Sequence, residues 1–384
     1  MRRGATGHYI TKSIGGEEVR AFVPDPLPPR PPVTLESGRH VLLEQALLAL
    51  GRLDSLSTLL PDTSPLLYSY IRKEAVLSSQ IEGTQSTLSD LLLFELEATP
   101  GAPVAEVSSY VSAMTHGLQR LREGFPLSNR LIREIHALLL SRGRGSERQP
   151  GEFRTSQNWV GGTRPGNALF VRPPPENLDE CLNDLERFLH SKDDALPALI
   201  KAGLAHVQFE TIHAFLDGNG RVGRLLITFL LCHARVLSEP TLYLSLYFKQ
   251  HRDEYYRLLN QIRDEGDWGA WLTFFLEGVL RTAEGAVSTS QRLVALFEGD
   301  QRRIQEQGRK TGSALRVHQV LKARPITSLQ EVTGRTGLSF PTASSSMDLL
   351  GSLGIVKELT GGRRNRIFAY QDYLTILNEG TEPL

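Results

Sequence analysis

The sequence predicts a mainly α-helical fold with small β elements, closed at its C-terminal end by a winged helix-turn-helix module. Three observations carry that prediction. Apolar residues keep helical spacing through several segments between Val104 and Gly278. The long interruption from Ser141 to Pro175 is rich in Gly, Pro and Arg and reads as an insert in a helical core. From Lys310 onward the pattern becomes three short helical stretches followed by two strand-like runs, the order of a winged helix-turn-helix. A chain of 384 residues, at roughly 150 per domain, is expected to hold two to three domains.

Composition excludes several classes. Lys plus Arg and Asp plus Glu each total 43, so no global basic field holds nucleic acid by charge alone. With 40% hydrophobic and 22% charged residues the chain is an ordinary globular protein, not a disordered, collagen-like or coiled-coil one. Cys181 and Cys232 cannot build a disulfide framework or a four-thiolate zinc site, and so few cysteines suit a reducing compartment. Cytoplasm is the expected location. Met1 to Ile14 lacks the apolar stretch of a secretion signal, and the run Leu225 to Cys232 is too short to span a bilayer, so no membrane association is expected.

The elements follow in order. Residues 1 to 35 include Pro24-Asp25-Pro26-Leu27-Pro28-Pro29-Arg30-Pro31-Pro32, which reads as an extended arm because proline fixes φ and removes ladder donors. From Leu35 to Ala98 helices are expected, with one starting near Ser64-Pro65 and ending at Gly83. A new start follows at Thr87, where the acid three residues on, Asp90, completes a cap. Ala168 to Val171 is a short β-prone run in the insert and reads as an edge strand or small hairpin. Residues Thr282 to Arg309, charged and free of Pro, read as a helical connector. In the C-terminal part, Leu315 to Leu321, Leu329 to Arg335 and Phe340 to Leu353 read as helices, and Ile355 to Leu359 and Ile367 to Tyr370 as the wing strands. The expected units are thus an arm with the first helices at 1–98, a core at 99–281, a connector at 282–309 and the winged helix at 310–384.

The chemistry concentrates between Phe209 and Arg224, in a loop held between two helical patterns. Gly218-Asn219-Gly220 before a helix can aim consecutive amides outward, which with the helix dipole makes an anion cradle suited to phosphate. Arg221 and Arg224, three apart, share one side of the first turn and can fork onto phosphate oxygens. Asp217 offers one carboxylate, which suits Mg²⁺ because that ion completes its shell with phosphate oxygens and water. His213 is then placed as a general base.

Together His213, Phe215, Asp217, Gly218, Asn219, Gly220, Arg221 and Arg224 resemble the Fic family signature, with Ala214 where the family commonly has Pro. The resemblance implies a Fic-type helical core and transfer of AMP from ATP to a Ser, Thr or Tyr hydroxyl of a protein. It gives His213 the target proton, Asp217 the Mg²⁺ on the α- and β-phosphates, and Phe215 a packing role. The amides of Gly218 to Gly220, with Asn219 and Arg221, stabilise phosphate charge, and Arg224 holds the γ-phosphate. Ser78 to Gly83 resembles the family's inhibitory motif, so Glu82, on one helical face with Ser78, is expected to pair with Arg224 and misalign ATP; in some relatives the same Glu supports AMP removal. Leu169, Phe170 and Val171 resemble the flap that docks an extended target by backbone hydrogen bonds. Gly151-Glu152-Phe153-Arg154 resembles a structural turn, with Arg154 in a packing role. Tyr255 and Tyr256, in a stretch that also resembles bacterial Fic proteins, are candidates for the adenine pocket and equally for the core.

Residues 310 to 384 hold nine Lys or Arg against six Asp or Glu, with Arg363, Arg364 and Arg366 gathered in the wing, where phosphate contacts would fall. Phe340 to Leu353 has no Arg, Asn or Gln for base readout, so DNA and protein docking both stay open for this module. The expected partners are ATP with Mg²⁺, a protein hydroxyl, self-modification included, and a second copy of the chain. The rival readings are a hydrolase that removes AMP or a transferase of another phosphate-linked group on the same site, and a DNA-bound regulator that senses nucleotide.

Overall fold

Helices dominate, and two of them at the centre are buried almost all round. The structure is a computed structural model describing residues 4–59, 64–97, 102–191, 196–308, 311–361 and 365–383. A hairpin, β1 (Gly7–Ile14) and β2 (Glu17–Pro24), precedes α1 (Ser37–Leu59), α2 (Ser64–Ile81), α3 (Leu88–Glu97), α4 (Ala102–Arg122) and α5 (Asn129–Leu139). The insert carries the hairpin β3 (Trp159–Val160) and β4 (Phe170–Val171). Then follow α6 (Pro175–His190), α7 (Ala198–Ile212), α8 (Asn219–His233), α9 (Ser245–Gln250), α10 (Arg252–Glu265) and α11 (Trp268–Gln305). The chain closes with α12 (Thr311–Ala323), β5 (Ile326–Ser328), α13 (Leu329–Thr336), α14 (Phe340–Ser352), β6 (Val356–Glu358), β7 (Ile367–Tyr370) and α15 (Gln371–Asn378).

Local signals set many of these boundaries. Thr87 and Asp90 form the expected reciprocal cap of α3: each residue's side chain accepts from the other's backbone N–H, at 2.8 and 3.1 Å. Ser128 caps α5 and Asp267 caps α11 by a single bond each, their side chains accepting from the Leu131 and Ala270 N–H groups. Gly266, in the left-handed region at φ 65°, stops α10 just before that second cap. Helices α7 and α8 pack against each other in the middle of the core, which explains their runs of apolar residues on every face. His206 of α7 ties three helices: its Nδ1–H donates to the Gly223 carbonyl at 3.0 Å, and its Nε2 accepts from the Tyr255 hydroxyl at 2.8 Å. Burial pushes that imidazole down to about 3, so it is a neutral core group.

Two expectations are corrected. Residues 7 to 24 form a regular antiparallel hairpin where an extended arm was expected, because Val19, Ala21 and Val23 bury one β-period face, with Phe22 buried on the other, a pattern that the following prolines obscure. Helix α11 runs 38 residues without a break and takes in residues 282–305 of the expected helical connector, still burying Thr282, Ala283, Ala286, Thr289, Ser290 and Leu293. Its charged residues mark the solvent face of a packed helix.

The C-terminal elements make an antiparallel sheet of order β5-β7-β6 covered by α12, α13 and α14. The sheet's central strand docks on α11, where the Tyr370 hydroxyl donates to Asp300 at 2.6 Å. The sequence reading contained neither β5 nor α15. Arg363 and Arg364 lie outside the described residues, and Arg366 is engaged by Glu358 at 2.9 Å and Asp348 at 3.2 Å. No helix among the described residues is long and apolar enough to cross a membrane.

Trp271 tests the core. It is fully buried among His206, Phe248, Phe274 and Phe275, and its indole N–H donates to the Gly203 carbonyl at 3.0 Å. Trp271→Ala is expected to cost about 3–5 kcal/mol, read as a drop in the urea midpoint; an unchanged midpoint contradicts this packing.

Candidate active site

The loop from His213 to Gly218 is pinned from three sides before any ligand arrives. His213 ends α7 in the left-handed region, φ 53° and ψ 63°, which turns its side chain out of the helix. Arg154, in the insert, donates from Nε to the His213 carbonyl at 2.9 Å and from Nη2 to the Pro173 carbonyl at 2.6 Å, while its backbone N–H donates to the Ala214 carbonyl at 2.9 Å. The packing role expected of Arg154 is therefore the bracing of the catalytic turn. From α5, the His136 ring stacks on Phe215 with centroids 3.6 Å apart and planes 5° apart. Its Nδ1 accepts from the Gly151 N–H at 2.8 Å, so Nε2 carries the proton and donates to the Asp217 carbonyl at 3.0 Å. Burial lowers His136 to about 4, against the hydrogen bond from Asp217's backbone, and keeps the ring neutral.

His136 was absent from the sequence reading, since a histidine on an amphipathic helix carries no motif. Its partners lie 15 and 81 residues away in the chain.

Asn219 has a different task from the one expected. Its Oδ1 accepts from the Phe215 N–H at 2.9 Å and its Nδ2 donates to the Phe215 carbonyl at 2.8 Å, so both ends of the amide close the loop on itself. The side chain is a lock and leaves the anion to the backbone. The first i→i−4 bond of α8 is made by Val222 to Gly218, so the N–H groups of Asn219, Gly220 and Arg221 precede the ladder and are available to an anion. Gly218, at φ 77°, supplies the left-handed turn that starts the helix. At Gly220 a Cβ would overlap the Glu82 carboxylate, so that carboxylate lies directly against the anion cradle.

Glu82 follows the end of α2, and its Oε1 sits 2.7 Å from Arg224 Nη2. Ser78, one turn earlier, orients the same guanidinium: its Oγ accepts from Nε at 2.8 Å and its carbonyl from Nη2 at 2.9 Å. Arg224 is 2% exposed and Glu82 28%, so the pair is screened far less than a surface one. Burial raises the Glu82 carboxyl, but the Arg224 charge and hydrogen bond outweigh it, and the net value lies below the ordinary carboxylate range. Gly83, at φ 92°, turns the chain away after Glu82, and Arg144 Nη1 donates to the Glu82 carbonyl at 3.0 Å.

Arg221 is fully buried against Glu106 of α4 at 2.5 Å, with Asp217 Oδ1 3.6 Å away. Glu106 also lay beyond the sequence motifs, and it gives Arg221 a carboxylate partner as Glu82 does Arg224. Asp217 is about one-third exposed; its Oδ1 accepts from the Gly218 N–H at 2.5 Å. Among the described residues no cluster of three His, Cys, Asp or Glu side chains could hold a metal alone. A single carboxylate beside an anion cradle fits Mg²⁺ that arrives with a phosphate ligand.

His213 is half-buried. Burial first, then the positive charges of Arg172, Arg154 and Arg263, hold its imidazole well below the ordinary histidine value, so it is neutral at pH 7. Its Nδ1 has no hydrogen-bond partner among the described residues.

The flap and tyrosine candidates divide. In the insert hairpin Trp159 pairs with Val171 and Val160 with Phe170. The Phe170 and Val171 side chains are buried, Phe170 against Phe22 of β2 and beneath Arg263, so they anchor the hairpin, while Leu169, 88% exposed, projects from it beside the exposed Trp159 and Val160 of β3. Tyr255 is a core residue, 1% exposed and bonded to His206, and does not line a nucleotide site. Tyr256, beside it, is half-buried with the Arg252 guanidinium over its ring.

A braced loop between two buried helices, open amides at the start of the second and a carboxylate on each of its two arginines thus make up the architecture. The family described as Fic/DOC matches residues 126–231, and the one described as Fic/DOC family N-terminal matches residues 40–119, which include Glu82. The chain thus carries both Fic/DOC family domains. It is 38% identical over 154 residues to the protein adenylyltransferase Fic of Aedes aegypti, covering 40% of this chain and 28% of that one. It is 30% identical over 210 residues to the protein of the same name from Drosophila yakuba, covering 53% and 39%. The chain therefore spans less than half the length of these relatives. A Fic family protein from Desulfovibrio desulfuricans shares the fold, with a TM-score of 0.56 at 19% identity over 88% of this chain and 98% of that one.

The ion pair sets a pH dependence. Because the Glu82 carboxyl is depressed in the folded protein, its contribution is complete above the ordinary carboxylate value of about 4.3 and is lost as pH falls through the lower folded value. Urea unfolding is expected to show wild type more stable than Glu82→Gln at pH 7, with the gap closing toward pH 3. A gap independent of pH contradicts an ionised Glu82.

Proposed function

We propose that this protein is an adenylyltransferase that moves AMP from ATP to a Ser, Thr or Tyr hydroxyl of a protein and is restrained by its own Glu82. The observation that carries the reading is the neutral His213 beside a helix-start amide cradle whose two arginines are both held by carboxylates. The likeness to relatives named protein adenylyltransferase supports the same reaction.

On this reading the phosphates of ATP lie along the N–H groups of Asn219, Gly220 and Arg221, with Asp217 holding Mg²⁺, which supplies charge neutralisation of the phosphates. The target hydroxyl oxygen attacks the α-phosphorus, its proton passes to the His213 imidazole, and the bond to pyrophosphate breaks. Arg221 and the amides stabilise charge gained by the phosphates. Arg224 meets the γ-phosphate only when Glu82 leaves it. A charge-assisted hydrogen bond is worth about 1.5–3 kcal/mol, so losing this competitor is expected to raise turnover by roughly tenfold or more.

The hairpin supports docking of an extended target segment through backbone groups, with Leu169 at the surface and Phe170 and Val171 as its buried anchor. The elements from 310 to 384 are read as a winged-helix domain, after an N-terminal unit at 1–98, a core at 99–281 and a connector at 282–309. The engagement of Arg366 by two carboxylates favours a protein partner for that module over DNA. A second copy of the chain is a further expected partner, and cytoplasm the expected location. Removal of AMP by the same site is the second reading, supported by Glu82 lying against the cradle, where it could orient a water.

The experiment incubates wild type, Glu82→Gly and Glu82→Gly/His213→Ala with Mg²⁺ and ATP labelled at the α-phosphate. Strong protein labelling by Glu82→Gly, weak labelling by wild type and none by the double variant is the expected result. No labelling by Glu82→Gly, with cell lysate as target source, contradicts transfer.

A further inference from the structure

Helix α2 has a second occupied face. Ser69, Lys73 and Gln80 share one side of it, whereas Ser78, five residues from Lys73, leaves the helix about 140° away, toward Arg224. The first face is covered by the end of the chain, which runs along the helix from its start to its last turn. The Tyr373 hydroxyl meets Ser69 Oγ at 2.8 Å. Lys73, only 2% exposed, donates from Nζ to the Glu379 carbonyl at 2.8 Å. Gln80, 1% exposed and two residues before Glu82, donates from Nε2 to the Thr381 carbonyl at 2.8 Å and to the Ser86 carbonyl at 2.9 Å. From α9, Lys249 donates to the Gly380 carbonyl at 3.2 Å and to that of Glu382. Thr381 is 2% exposed and bonds back to Asn378 at 2.9 Å.

Three buried side chains thus spend their donors on carbonyls of a four-residue segment with no regular secondary structure of its own. Burying such donors is favourable only while the segment stays in place, because each would otherwise be left without a partner. The last turn of α2 is therefore held from behind by residues 379 to 382 and in front by Arg224. The Gln80 amide bridges the tail and the Ser86 carbonyl across the turn that contains Glu82, so the position of the tail fixes that turn.

We propose that residues 379–382 are a strap that positions Glu82 on Arg224, with Gln80 as the positioning residue. This rests on the reading of Glu82 as the competitor of nucleotide phosphate at Arg224. Displacing the strap frees the last turn of α2, and a partner of the C-terminal module that pulled on α15 would relieve the inhibition without touching the active site.

The test uses the full chain with Gln80→Leu and, separately, Lys249→Met, which removes the strap's anchor on a different helix, α9. Amide hydrogen exchange across residues 78–83 and ATP affinity by calorimetry are measured in the wild-type and Glu82→Gly backgrounds. Faster exchange in 78–83 with α7 and α8 unchanged, and a roughly two- to tenfold gain in ATP affinity in the wild-type background that is absent in the Glu82→Gly one, is expected. Unchanged exchange in folded variants overturns the strap, as does an affinity change of equal size in both backgrounds. Neither readout needs transfer to occur, and labelling by Glu82→Gly alone reports separately on the transferase reading.

Discussion

Arg224 and Glu82 form the contact around which the site is arranged. A guanidinium that is 2% exposed needs a counter-charge, and the protein supplies one from the end of α2, not from a bound ligand. The same choice recurs at Arg221, held by Glu106 of α4. Both arginines of α8 are therefore charge-paired internally, Arg224 by Glu82 after α2 and Arg221 by Glu106 of α4, while Nε and Nη2 of Arg221 and Nη1 of Arg224 keep no hydrogen-bond partner among the described residues. The Glu82 carboxylate also lies against Gly220 at the start of α8, beside the N–H groups that precede the helix ladder.

The loop between α7 and α8 stands in contrast, because it is rigid without a ligand. Asn219 closes it from within, His136 and Phe215 stack beneath it, and Arg154 holds its first carbonyls. Such bracing means that the loop needs little further ordering to receive an anion. The left-handed His213 belongs to the same frame. Its strained turn is held by Arg154, and burial, with the charges of Arg172 and Arg154, keeps its imidazole neutral.

Much of this was legible in the sequence because its information is local. Helical periodicity, the Thr87–Asp90 cap, the break at Gly83 and the run from His213 to Arg224 each lie within about a dozen residues. What escaped was carried by contacts between distant positions. His136, Glu106 and the Gln80–Thr381 bond have partners far off in the chain and no spacing to announce them. The family resemblance implies a phosphate role for Asn219, yet its side chain is spent on Phe215, a use that four-residue spacing permits and composition does not reveal. The β1–β2 hairpin was hidden by the prolines after it, and the exposed face of α11 by its charges. Tyr255 fell to the core, the commoner place for an aromatic residue on a helix.

The account stands or falls on whether Glu82 keeps the terminal phosphate of ATP from Arg224. The direct measurement is the affinity of wild type and Glu82→Gly for ATP and for ADP, each with Mg²⁺, by calorimetry. The account predicts that wild type binds the two alike and that Glu82→Gly binds ATP more tightly than ADP, by roughly tenfold or more. An equal preference in both proteins would show that Arg224 does not meet the γ-phosphate and that the ion pair is structural alone.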